Sequence, residues 1–143
     1  MAAQHDLLAR SAGGMNGRLD RHVQVAPGTP YDAGQIFCQI VATVVAEKHP
    51  KVATITRTVQ ARGKKVYVDY LQNIQGKSLA CAYSARASEF AGASTPLTWE
   101  EIDAGVDPRD FTIRTLPQRL AKMGDLWKPL LTGKCVDLRR LLK

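Results

Sequence analysis

Residues 31–49 carry the pattern that most narrows the fold. Ile36, Ile40 and Val44 recur at every fourth position, with Phe37, Val41 and Val45 alongside. At 3.6 residues per turn this spacing lays a wide apolar stripe along one helix, to be buried against a core. The ends are marked as well. Thr29 suits the N-cap, Pro30 the first turn and Asp32 the positive end of the helix, while Lys48 and His49 suit the negative end and Pro50 stops it.

A sheet is the expected bed for that helix. Residues 52–59 are rich in β-branched side chains, with Thr54, Thr56 and Thr58 on one face. A second strand is expected over 65–71, beyond the Arg62-Gly63-Lys64 turn, and a third over 78–84, beyond a turn at 73–77. Two short connections predict an antiparallel β-meander, and a helix packed on its face makes the fold class α+β. Residues 22–25 alternate as a short strand closed by Ala26-Pro27-Gly28. Downstream, Thr98-Trp99-Glu100-Glu101 is a capping box that opens a short helix ending near Gly105. Residues 107–114 hold a further strand candidate, 117–123 read as helix and 125–131 as a last turn. The organisation expected is a flexible glycine-rich segment over 1–21, one folded domain over 22–131 and a basic tail over 132–143.

The 143 residues suit one compact unit. No apolar run approaches the ~18 residues of a membrane span, and His5, Asp6 and Arg10 interrupt any signal-peptide core. A cytoplasmic protein with no membrane contact is therefore expected. Twenty Lys and Arg against thirteen Asp and Glu give a formal charge of +7, and a pI near 9.6 favours anionic partners such as nucleic acid or nucleotides. Cys38, Cys81 and Cys135 have no zinc-site spacing and read as free, mostly buried thiols.

Asp69, in Lys65-Val-Tyr-Val-Asp-Tyr-Leu71, is the residue most at odds with its surroundings. Strands disfavour aspartate, and Tyr67 and Leu71 share its face. Its charge calls for a divalent cation or an arginine partner, Arg62 or Arg86, unless it stands at an exposed strand edge. In a hairpin turning near Ile74, Arg86 falls opposite Gly63, so Arg62 and Arg86 reach one sheet end, as a polyphosphate grip would need. Asp69 lies six residues from that end, roughly 20 Å at the rise of a strand, so a shared ligand requires a bent or bulged sheet. Gln72 and Asn73 suit either a turn or contacts to sugar and base. His22 suits a structural role or a phosphate contact, and Trp99 and Trp127 read as packing residues. No Asp-x-Asp pair, Walker loop, H-E-x-x-H or G-x-S-x-G accompanies them.

Arg62-Gly-Lys-Lys-Val-Tyr-Val-Asp-Tyr-Leu-Gln-Asn73, Ala82-Tyr-Ser-Ala-Arg86, Ser94-Thr-Pro-Leu-Thr-Trp-Glu-Glu101 and Phe111-Thr-Ile-Arg114 together resemble one family. It is the polymerase domain of bacterial ligase D, the non-homologous end-joining enzyme of the archaeo-eukaryotic primase superfamily. The resemblance implies the C-terminal half of a primase-polymerase fold and nucleotidyl transfer to a DNA or RNA primer end. It implies Mg²⁺ or Mn²⁺ as cofactor, with Asp69 as the third metal-binding aspartate. Arg62 and Arg86 would lie around the triphosphate, with Gln72 in the same pocket motif and His22 after the family's Ser-Gly segment. DNA ends and nucleoside triphosphates are the implied partners, together with a chain supplying the N-terminal half or a ligase module. The sequence departs from the family in lacking the first two metal aspartates and the upstream histidine, in Ser11-Ala12 and the Arg18–Arg21 insertion before His22, and in Ala82 where proline is usual. The expectation is a truncated, split or remnant polymerase domain that is inactive alone, or a non-catalytic nucleotide- or DNA-binding module.

Overall fold

The computed structural model describes residues 7–11, 18–78 and 81–141, with side chains described for 22–78, 81–138 and 140. In chain order the elements are β1 (Leu7–Ser11), β2 (Arg18–His22), α1 (Tyr31–Lys48), β3 (Ala53–Thr54), α2 (Val59–Arg62), β4 (Val66–Tyr67), β5 (Thr95–Leu97), α3 (Trp99–Ala104), a 3₁₀ turn (Pro108–Asp110), α4 (Leu116–Met123), α5 (Lys128–Thr132) and α6 (Leu138–Leu141). They fall into two compact units, one of residues 1–24 with 80–136, the other of 25–79 with 137–143. The mixed helix-and-strand class matches the sequence reading.

The first unit is built on a three-stranded antiparallel sheet in the order β2-β1-β5. Strands β1 and most of β2 lie inside the segment read as glycine-rich and flexible; the connecting residues 12–17 lie outside the described residues. Pro96 has no N–H to give to a ladder, which fits β5 at the sheet edge. Ser94, Thr95 and Leu97 are nevertheless fully buried. The capping box forms as expected: Thr98 Oγ1 accepts from the Glu101 N–H at 3.3 Å, and Glu101 Oε2 accepts from the Thr98 N–H at 2.9 Å. Arg119 on α4 then takes Glu101 with both guanidinium nitrogens, at 2.5 and 2.7 Å. It also donates to the Pro96 carbonyl at 3.0 Å, tying β5, α3 and α4 together. Residues 107–114 are not a strand. The Asp107 side chain caps a 3₁₀ turn, and only Thr112 bridges to Gly92.

In the second unit α1 spans 31–48 as expected, but Thr29 does not cap it. The Thr29 hydroxyl donates instead to the Ala26 carbonyl at 2.6 Å, in the turn before Pro30. Strands β3 and β4 are two residues each and pair in parallel, Ala53 with Val66 and Thr54 with Tyr67. This corrects the antiparallel meander expected over 52–84. Residues 59–62 wind into α2 instead of extending, and Gly63, at φ 59°, turns the chain so that it re-enters in the same direction. Such a crossover yields parallel pairing, whereas a tight turn yields antiparallel. The third strand is not formed over the described part of 78–84; residues 82–83 are a turn.

The face of α1 that carries Ala42 is buried, and Leu138 of α6 is 2% exposed. The stripe singled out in the sequence lies elsewhere: Ile36 is 51% exposed and Ile40 45%, with Val41 and Val44 similarly open. The expectation that Ile36, Ile40 and Val44 face a core is therefore corrected. The helix is apolar around most of its circumference, so burying one face leaves a second apolar face in solvent. Cys81 and Cys135 are exposed and Cys38 half-buried, all free, which corrects the expectation of mostly buried thiols. No helix among the described residues is long and apolar enough to cross a membrane.

Candidate functional site

Asp69 lies two residues beyond β4 and sits at the wall of a cleft of about 230 Å³ within the second unit. Its carboxylate is exposed, not enclosed in apolar surroundings. Oδ1 accepts from the Leu71 N–H at 2.9 Å, an Asx turn that ends the strand. The Tyr67 hydroxyl donates to Oδ1 at 3.4 Å and Gln72 Nε2 to Oδ2 at 3.5 Å. Burial first, then the Asp69 charge and hydrogen bond, hold the Tyr67 phenol above its ordinary pKa, and Arg57 pulls the other way.

Arg62, the last residue of α2, lays its guanidinium over the Tyr67 ring at 5.6 Å. Among the described residues it makes no ion pair with Asp69. Of the sequence-predicted set, Gln72 thus meets Asp69 directly, and Arg62 reaches it only through Tyr67. The reading missed Tyr67 itself, and with it Arg57 and Lys77, which also line the cleft. Tyr67 was visible as the same-face neighbour of Asp69; Arg57 and Lys77 carried no signal beyond charge.

His22 and Arg86 belong to the first unit. Arg86 is half-buried, its N–H bonded to the Gly92 carbonyl at 2.8 Å beside the Ala85–Ala93 bridge. That segment pairs with 92–93, so the hairpin expected to set Arg86 opposite Gly63 is not formed. The His22 ring meets the Trp127 ring edge-on at 4.9 Å between centroids. Trp127 is held in turn by Asp125, whose Oδ1 accepts the Trp127 N–H at 2.9 Å and the Tyr83 hydroxyl at 2.8 Å. Tyr83 has φ 64°, a left-handed conformation that costs a tyrosine of order 1 kcal/mol.

A two-ion centre needs several carboxylates around ions ~3.5–4 Å apart. Among the described residues no three His, Cys, Asp or Glu side chains cluster as a metal site, and Asp69 is the one carboxylate lining the cleft. These residues do not fit a two-metal centre, and no catalytic step is derived through one.

Comparison with known proteins decides the lineage. The family model for the LigD primase-polymerase domain matches residues 14–127. The chain belongs to the LigD primase-polymerase family. It is 35% identical over 94 residues to the bifunctional non-homologous end joining protein LigD of Bacillus subtilis, covering 66% of this chain and 15% of that protein. It is 33% identical over 99 residues to the multifunctional LigD of Pseudomonas aeruginosa, covering 68% of this chain and 12% of that protein. Its fold is similar to the polymerase domain of Mycobacterium tuberculosis ligase D solved in complex with DNA. The TM-score is 0.72 at 25% identity, over 87% of this chain and 42% of that one. The chain thus spans less than a sixth of the two LigD proteins and under half of the solved polymerase domain. Metal dependence is general in the family.

Proposed function

We propose that this chain is the nucleotide- and primer-handling part of a LigD-type end-joining polymerase, acting on DNA ends in the bacterial cytoplasm at the nucleoid. The observation that supports this best is the Asp69 carboxylate at the cleft wall, oriented by Leu71, Tyr67 and Gln72. Asp69 supplies one anchor for Mg²⁺ or Mn²⁺. Arg62 and Gln72, on the same unit as Asp69, contact the incoming nucleoside triphosphate, and Arg86 and His22 are read as nucleotide-binding residues from the family resemblance alone. One carboxylate cannot position two ions, so the chain alone transfers no nucleotide. A Mn²⁺-supported primer-extension assay tests this: no extension is expected, and robust templated addition overturns it. DNA binding by the same protein is expected to weaken steeply with salt, because it rests on phosphate contacts.

The open apolar face of α1 favours a split-subunit form of this reading over a non-catalytic binding remnant. Ile36, Ile40, Val41 and Val44 present a continuous apolar row to solvent. More than half of the similar M. tuberculosis domain has no counterpart in this chain. The occupant we assign is a polypeptide carrying that remainder. Size-exclusion chromatography with the unmatched part of the B. subtilis LigD polymerase region is the test. Co-elution that is lost on Ile40→Asp supports the split subunit; a chain that ignores the partner, or pairs with itself through this face, removes it.

A further inference from the structure

We propose that Arg57 and Lys77 form a phosphate grip in the Asp69 cleft that takes the polyphosphate tail of a nucleotide. This rests on the reading of that cleft as the nucleotide site and adds two residues to it.

Both cations line the cleft beside Asp69, Tyr67 and Gln72. They arrive from opposite directions in the chain. Arg57 sits in the extended crossover between β3 and α2. Lys77 closes a turn in which its own N–H bonds to the Ile74 carbonyl at 3.3 Å, with Gly76 at φ 83°. A left-handed third residue is what a type II turn requires, and glycine supplies it without strain. The turn folds Lys77 back onto the wall that carries Asp69.

The charge arithmetic then asks for an anion. Two cations face one carboxylate, and both oxygens of that carboxylate are occupied by the neutral donors Leu71 N–H, Tyr67 hydroxyl and Gln72 amide. Among the described residues neither Arg57 nor Lys77 has a carboxylate within ion-pair distance. A guanidinium and an ammonium without partners, converging on one cleft, suit adjacent phosphoryl groups: the arginine binds bidentately and the lysine as a point charge. Size narrows the ligand further. The cleft holds about 230 Å³, below the roughly 300–1,000 Å³ of pockets that enclose a drug-sized molecule. It fits phosphates, leaving sugar and base outside.

Isothermal titration of the full chain with ATP, in EDTA at low salt, reads the grip without a metal contribution. Arg57→Gln and Lys77→Gln are each expected to weaken ATP binding about tenfold, the order of one charge-assisted contact. Tripolyphosphate is expected to displace ATP, and adenosine to fail. Asp69→Asn is expected to tighten binding, since it removes the one anion from the wall. Lys122→Gln, on α4 of the other unit, is expected to leave binding unchanged. Arg57 and Lys77 are both exposed, so their replacement does not threaten folding, and an unchanged thermal midpoint verifies it. Unchanged ATP affinity in the Arg57→Gln/Lys77→Gln protein overturns the grip; if Arg62→Gln abolishes binding in that case, the nucleotide site itself stands. Failure of the wild-type chain to bind ATP overturns both. A 5′-phosphorylated single strand that loses affinity in the double variant, while ATP does not, reassigns the cations to the DNA backbone and overturns the nucleotide grip.

Discussion

The Tyr83 hydroxyl donates a 2.8 Å hydrogen bond to Asp125, 42 residues further along the chain, and that carboxylate also holds the backbone N–H of Trp127. Through this pair the left-handed turn at Tyr83 is joined to the segment whose indole meets His22. The contact fixes the segment that packs against His22, so Tyr83 serves the fold of this unit. Tyr83→Phe is expected to cost about 0.5–1.5 kcal/mol, the net value of one such bond, read as a lowered denaturation midpoint.

The same pair sets an alkaline limit. Burial first, then the bond to Asp125, pushes the Tyr83 phenol up to about 12 from 10.0. Below pH 10 the phenol is neutral in both folded and unfolded chains, and the stabilisation is fully present. Above it the unfolded chain ionises first, so stability falls between pH 10 and 12. Thermal midpoints across that window are expected to drop less steeply in Tyr83→Phe than in the wild type. The raised phenol of Tyr67 keeps some slope in both.

Acid acts on a second tie within the same unit. The Arg119 guanidinium, ahead of the Thr98 N–H, holds the Glu101 carboxyl below its usual range. A depressed carboxylate stabilises above its unfolded pKa, near 4.5, and that contribution is lost as pH falls through the folded value. Glu101→Gln is expected to flatten the acid limb of the stability profile. Glu101→Ala is expected to cost about 1–3 kcal/mol at neutral pH, because it leaves a half-buried guanidinium without its partner and removes half of the capping box.

Two leucine-sized side chains on the α1 layer should respond in opposite ways to truncation. Leu138, 2% exposed, is expected to lose about 2–5 kcal/mol on replacement by alanine. Ile40, 45% exposed, is expected to lose under ~1 kcal/mol. Urea denaturation of the two variants checks the contrast, and equal losses would mean that the Ile40 face is covered in solution.

Gly76→Ala isolates the backbone of the turn that carries Lys77. An added Cβ meets nothing within 4 Å, so only the φ of 83° resists it. About 1–2 kcal/mol is expected from that strain, accompanied by weaker ATP binding as Lys77 shifts.

The sequence made some of this legible and not the rest, for physical reasons. Local signals held where the chain satisfies itself within a few residues: α1 between Pro30 and Pro50, the Thr98–Glu101 box, and α4 after Pro117. Strand pairing is a long-range choice, and over 52–84 it differs from the local pattern: β3 and β4 pair in parallel. A β-branched run does not say in which direction it will be paired, and residues 59–62 wind into a turn of helix despite Val59. Asp69 could be singled out because strands disfavour aspartate, whereas Arg62 stands out only as one of a pair with Arg86 and through the family resemblance, and Gln72 through that resemblance alone. Arg57 and Lys77 are ordinary surface cations in the sequence, and only the crossover and the Gly76 turn bring them to one wall. The orientation of α1 was beyond a pattern read, since a helix apolar on most sides gives no unique answer about which side goes in.

That ambiguity leaves a mark on how the gene can drift. If the row through Ile36, Ile40 and Val44 stays wet throughout the protein's lifetime, lysine or glutamate there costs nothing, and close orthologues will have scattered polar residues along it. Should those orthologues keep the row greasy while exposed positions off the helix such as Lys51 and Gln75 vary freely, selection has been reading a neighbour that a single polypeptide does not display.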